Sequence, residues 1–195
     1  MVYYLFCVLF EFISNAFSED KCIAEDGVPP APIKTQKQLQ DELLKYIWEK
    51  HDVEEFREIL KKVLDVNFFR ENKWTPLMVA VKQNKHAFVK ELMKRDGISV
   101  NAQDNIGFTA LHHAVSANNP GIVNLLLDDL WIGPSLKLKT CKNFTPLKLA
   151  EDMSINRKPD PWDNQLISEK EMNDEIITVL KEYVKIAEEL RKWRK

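Results

Sequence analysis

Apolar residues recur along this chain at three- and four-residue steps, in short blocks separated by polar turns. That period is the signature of helices with one buried stripe. From Gln36 to Lys50, Leu39, Leu43, Leu44, Ile47 and Trp48 form one such face. From Val53 to Leu64, Phe56, Ile59, Leu60, Val63 and Leu64 form another. Further blocks hold Phe88, Val89, Leu92 and Met93, then Ile122, Val123, Leu125, Leu126 and Leu127. Near the end, Ile176, Leu180, Tyr183, Ala187 and Leu190 mark one stripe of a long amphipathic helix. The pattern predicts an all-α chain.

Two segments break the period. Residues 2–10 form an apolar run, too short for a bilayer-spanning helix, which needs about 20 residues. The small residues Ser14, Ala16 and Ser18 follow it, so residues 1–18 fit a cleavable secretory signal peptide. No Lys or Arg precedes the run, and Glu11 truncates it, which leaves a hydrophobic N-terminus docked on the fold as the other reading. Residues 19–35 contain Pro29, Pro30 and Pro32 and are expected to be a linker.

The helical blocks are also self-similar. Trp74-Thr75-Pro76-Leu77-Met78-Val79-Ala80, Phe108-Thr109-Ala110-Leu111-His112-His113-Ala114 and Phe144-Thr145-Pro146-Leu147-Lys148-Leu149-Ala150 share one pattern, with their threonines 34 and 36 residues apart. Threonine suits a helix N-cap, and proline suits the first helical turn, where its missing N–H costs nothing. These segments resemble the ankyrin repeat, and the middle one fits best, with Asp104, Gly107, Thr109, Leu111, His112 and Ala114 in register. The resemblance implies an all-α ankyrin-repeat helical solenoid with short hairpin loops and a long C-terminal helix. Residues 36–186 would form it: a cap at 36–68 and repeats at about 69–102, 103–138 and 139–186. A basic helix end follows at 187–195. A repeat cannot bury both its faces alone, so an atypical end unit is expected.

The chain departs from the family pattern at particular positions. Lys73 and Asn143 stand where the hairpin glycine is expected, and only Gly107 keeps it. Asn tolerates a left-handed backbone better than Lys, so the first hairpin is expected to be distorted. Residues 154–173 intervene before the last second helix. They read either as a neutral insertion or as a binding loop, with Trp162 the first choice for a contact residue.

Composition removes other classes. The chain has 195 residues, 28 Lys+Arg against 30 Asp+Glu, and a net charge of −2, which argues against a nucleic-acid binder. Three cysteines are too few for a disulfide scaffold. A bridge between Cys22 and Cys141 would require the tail to fold back. No phosphate loop, nucleophile elbow or metal motif occurs, so no catalytic residue, cofactor site or metal site is assigned, and the chain is not expected to be an enzyme. Adjacent helical residues point apart, so His112-His113 makes a poor metal pair, and His112 resembles the family's structural histidine.

The resemblance implies binding of another protein through a concave face of hairpin tips and first helices. Trp74, Phe108 and Phe144 occupy one position per repeat and form an aromatic ladder there, either packed on adjacent hairpins or free for a partner. Around it lie the family's variable positions: Glu71, Asn72, Lys82, Gln83, Asn105, Ile106, Ser116, Ala117, Cys141 and Lys142. Asn143-Phe144-Thr145 is also a glycosylation sequon, usable only if the chain enters the secretory pathway; a cytoplasmic location is the alternative. Two other functions are carried. The Trp74–Ala80 segment is similar to the ankyrin segment of mitochondrial Clp-type disaggregases, so the chain could be a fragment or paralogue of one. The C-terminal helix could instead pair between chains in a structural role.

Overall fold

In a computed structural model, residues 34–69, 71–128, 135–156 and 164–193 are described; of Glu71, Asn156, residues 164–169, Arg191 and Trp193 only the backbone is. The expected signal peptide, the expected linker up to residue 33, Cys22 and Trp162 lie outside the described residues, and Lys34 and Thr35 lead directly into the first helix. The described chain is helical and carries no strand. Its helices are α1 (Gln36–Glu49), α2 (Val53–Lys62), α3 (Pro76–Lys82), α4 (His86–Met93), α5 (Ala110–Ser116), α6 (Pro120–Leu127), α7 (Pro146–Asn156) and α8 (Asn164–Trp193). None is long and apolar enough to cross a membrane.

Local chemistry sets the helix starts. Thr35 and Gln38 form a reciprocal capping box at α1, with Gln38 N donating to Thr35 Oγ1 and Thr35 N to Gln38 Oε1. Asp52 Oδ1 accepts from Glu54 N and Glu55 N at α2. Thr75, Thr109 and Thr145 each accept the backbone N–H three residues on, at 3.3 Å. Pro76, Pro120 and Pro146 then fill first-turn positions.

The helices pair as α1 with α2, α3 with α4, α5 with α6 and α7 with α8. The first helices α1, α3, α5 and α7 touch in succession, and so do the second helices α2, α4, α6 and α8. The result is a two-layer solenoid in which each pair buries its face on the next. Phe56 and Phe88 illustrate the seam between the first two pairs: both are fully buried and stack at 4.2 Å between centroids.

Two residues leave the faces expected for them. Trp48 is 55% exposed, because the buried side of α1 holds Leu39, Leu43, Tyr46 and Ile47, and Trp48 lies about 100° around from Ile47. Tyr46 takes its place and donates its hydroxyl toward Asp52 O and Glu55 Oε2, each at 3.0 Å. Leu64 is 78% exposed, because α2 stops at Lys62 and Val63 turns extended. The segment 154–173 is largely helix: 154–156 close α7 and 164–173 open α8. Ile176 and Leu180 are buried, Tyr183 and Ala187 half-buried, and Leu190 is exposed.

A charged clasp ties α2 to α4. The Arg57 guanidinium donates to both oxygens of Glu91, at 3.0 and 3.2 Å, and Lys94 Nζ donates at 2.7 Å. These hydrogen bonds hold the Glu91 carboxyl at about 2, against 4.5 ordinarily. Its folded value is depressed, so its contribution is complete above pH 4.5 and is lost as the pH falls toward 2. Glu91→Gln is expected to lower stability at neutral pH by about 1–3 kcal/mol. It should also flatten the decline below pH 4.5, as read by urea unfolding across pH.

Candidate protein-binding face

The hairpins between repeats are built on left-handed residues. Gly107 holds φ +77° in the second hairpin and Asn143 φ +64° in the third. The first hairpin differs: Asn72 (φ +62°) and Lys73 (φ +58°) are left-handed in succession, within a short 3-10 turn. Lysine thus takes the glycine position after all, and the turn is altered around it.

Asp104 organises the second hairpin. Its Oδ1 accepts from Ile106 N (3.0 Å) and Phe108 N (2.8 Å), and its backbone N donates to Phe108 O. Its Oδ2 accepts from His113 Nε2 at 2.9 Å, in a pair buried from solvent. Burial lowers the proton affinity of His113; Asp104 opposes this, and Lys82 adds to it through space. In the third hairpin Thr140 stands in the Asp104 position, and its hydroxyl accepts from Phe144 N.

The hairpins are linked through their backbones. Asn105 N donates to Asn72 O and Cys141 N to Ile106 O, both at 3.0 Å. Gln103 Nε2 donates to Gly107 O in its own hairpin and to Lys139 O in the next. His112 spans the same gap from below. Thr109 donates to its Nδ1, and its Nε2 donates to Phe144 O at 3.1 Å. Burial pushes its pKa down to about 4, so it is neutral at pH 7.

The structure does not make an even ladder of the three aromatics. Trp74 and Phe108 flank one histidine, with centroids 4.9 and 5.2 Å from the His113 ring. Both are half-buried, so each presents part of its ring to solvent. Phe144, also half-buried, instead lies under Lys148 Nζ, 5.2 Å from its centroid. Asn72, Lys82, Asn105, Ile106, Cys141, Lys142 and Asn143 are exposed, and Gln83 is half-buried at the end of α3. The Glu71 side chain and Trp162 lie outside the described residues. Neither Asp104 nor His113 was expected at the centre of this face. The signal was an acid four residues before Phe108 and a second histidine four residues after Thr109. Among the described residues, no group of three His, Cys, Asp or Glu side chains could hold a metal.

This geometry is that of stacked helix pairs joined by hydrogen-bonded hairpins. A family model described as "Ankyrin repeats (3 copies)" matches residues 44–140. The chain is an ankyrin-repeat protein. An ankyrin repeat protein of fowlpox virus, FPV031, is 34% identical over 115 residues, covering 57% of this chain and 32% of the viral one. BTB/POZ domain-containing protein 1 of Schizosaccharomyces pombe is 37% identical over 75 residues, 38% of this chain and 6% of that protein. Delta-latroinsectotoxin-Lt1a of Latrodectus tredecimguttatus is 34% identical over 87 residues, 44% of this chain and 7% of the toxin. The chain therefore spans a third or less of the length of these relatives. Ankyrin repeats generally mediate protein–protein interactions, and the family is typically non-enzymatic.

Proposed function

We propose that this chain is a non-catalytic protein-interaction module that holds its partner on the hairpin and first-helix face. One observation carries the reading: the backbone bonds between Asn72 and Asn105, and between Ile106 and Cys141, fix the hairpin tips while their side chains stay in solvent. A pre-ordered backbone lowers the entropic cost of docking. Ile106 is the apolar point of that surface, 49% exposed at the tip of the middle hairpin.

The experiment is proximity crosslinking in the source cell, followed by affinity measurement with the purified partner. Ile106→Asp should weaken binding tenfold or more, the scale of an interface anchor, without changing the melting temperature. Trp74→Ala and Phe108→Ala should weaken binding further but also cost stability, because both rings pack on His113. A partner held equally well by Ile106→Asp would place the contact surface elsewhere.

A further inference from the structure

On the second helices, Arg57 and Lys94 pair with Glu91 and Lys61 with Glu58, while Lys62 and Lys90 are exposed in solvent. On the hairpin and first-helix face stand Lys73, Lys82, Lys139, Lys142 and Lys148, all exposed and without a carboxylate partner among the described residues. Two of the carboxylates near them are engaged, while Asp152 is half-buried on α7 and the Glu71 side chain lies outside the described residues. Asp104 is buried and its oxygens are taken by two backbone N–H groups and His113. Glu151 faces Lys181 at 3.4 Å. Five exposed lysines thus form a basic strip along the hairpins and first helices of a chain of net charge −2.

The strip also has an ordered layout. Lys73 and Lys142 sit at hairpin tips on either side of Ile106, and those hairpins are joined by the backbone bonds described above. Lys82 ends α3 near enough to His113 for its charge to act there, and Lys148 lies over Phe144. Amines therefore surround a centre made of Ile106 and the half-buried rings of Trp74 and Phe108.

Resting on the proposed use of this face, we propose that its partner is an acidic protein segment carrying an apolar residue among its carboxylates. Complementary potentials steer encounter and fix register, and the apolar centre accepts the anchor. The alternative polyanion, a nucleic acid, fits less well. The chain as a whole carries a net charge of −2, and the rings of Trp74 and Phe108 are half-buried against His113 rather than standing as open stacking platforms.

A random peptide library displayed against the full chain tests this. Peptides rich in Asp and Glu, with one large apolar residue, should be enriched. Their affinity should fall about tenfold or more in the Lys82→Glu, Lys142→Glu double variant, at an unchanged melting temperature, and should weaken with salt. Enrichment of neutral or basic peptides that Ile106→Asp still disrupts overturns the acidic partner but leaves the face standing. Acidic peptides indifferent to Ile106→Asp and to both lysine reversals overturn the face itself. An empty selection, or complete displacement of the peptides by single-stranded DNA of equal charge, also overturns the proposal.

Discussion

Gly107→Ala is expected to lower the stability of the solenoid by about 2–4 kcal/mol, several-fold more than Gly97→Ala. Both glycines sit at φ +77°, so each substitution meets the same backbone penalty, about 1 kcal/mol for a side chain held left-handed. What differs is the space around them. A Cβ on Gly97 would meet nothing within 4 Å. A Cβ on Gly107 would lie 3.0 Å from Thr140 Cα, 3.1 Å from Lys139 O and 3.2 Å from Cys141 N. All three are backbone atoms of the next hairpin, which cannot rotate away as a side-chain tip could. Relief would require the hairpins to separate, at the expense of the Cys141 N to Ile106 O bond. Overpacking of this kind adds about 1–3 kcal/mol to the backbone term. Urea unfolding of the two variants beside the parent measures the comparison. Equal losses at the two sites would mean that the second and third hairpins are not in close contact. The same pair of variants bears on function, since a displaced third hairpin moves Lys142 relative to Ile106.

This contrast shows why some of the fold was legible in the sequence and some was not. The threonine-proline starts at 75, 109 and 145 and the helical periods are local signals, each set by chemistry within one turn, and the helices stand where they point. Gly107 was legible as a turn residue for the same reason. Its second constraint, the approach of the next hairpin, depends on a neighbour 33 residues away and has no local mark. The same holds for His113, whose partners Asp104, Trp74 and Phe108 come from two hairpins. A row of aromatics at one position per repeat looked uniform in one dimension. In three dimensions Trp74 and Phe108 share His113, while position 149, the counterpart of His113 in the next repeat, is a leucine, and Phe144 meets Lys148. Trp48 and Leu64 show the reverse limit. An apolar residue near a helix end fits a periodic stripe on paper, but the stripe stops being buried where the helix stops or turns its side.

Acidification should destabilise the protein well above the range in which carboxylates titrate. His112 is fully buried, and burial lowers its pKa from 6.5 to about 4. Burial is the main reason it resists protonation inside the fold; the bond from Nε2 to Phe144 O acts the other way, and the N–H and hydroxyl of Thr109 meet Nδ1, where a second proton would enter. A second proton could enter only at Nδ1, against those donors. Between pH 6.5 and about 4 the unfolded chain therefore binds a proton at this residue that the native chain does not. Stability contributed by neutral His112 is complete above pH 6.5 and is lost as the pH falls toward 4. The difference between 6.5 and about 4 corresponds to roughly 3 kcal/mol. His113 acts in the same direction, with Asp104 moderating it. Glu91 adds its own decline only below pH 4.5, so the two windows separate. His112→Gln retains an amide that can reach Phe144 O but has no titrating ring. It should be less stable than the parent at pH 7, by about 1–2 kcal/mol for the altered cap and packing, and the gap should close or reverse by pH 4.5. Urea unfolding of both proteins at half-unit pH steps reads this convergence directly. Parallel curves would mean that His112 accepts its proton within the fold as readily as in the unfolded chain.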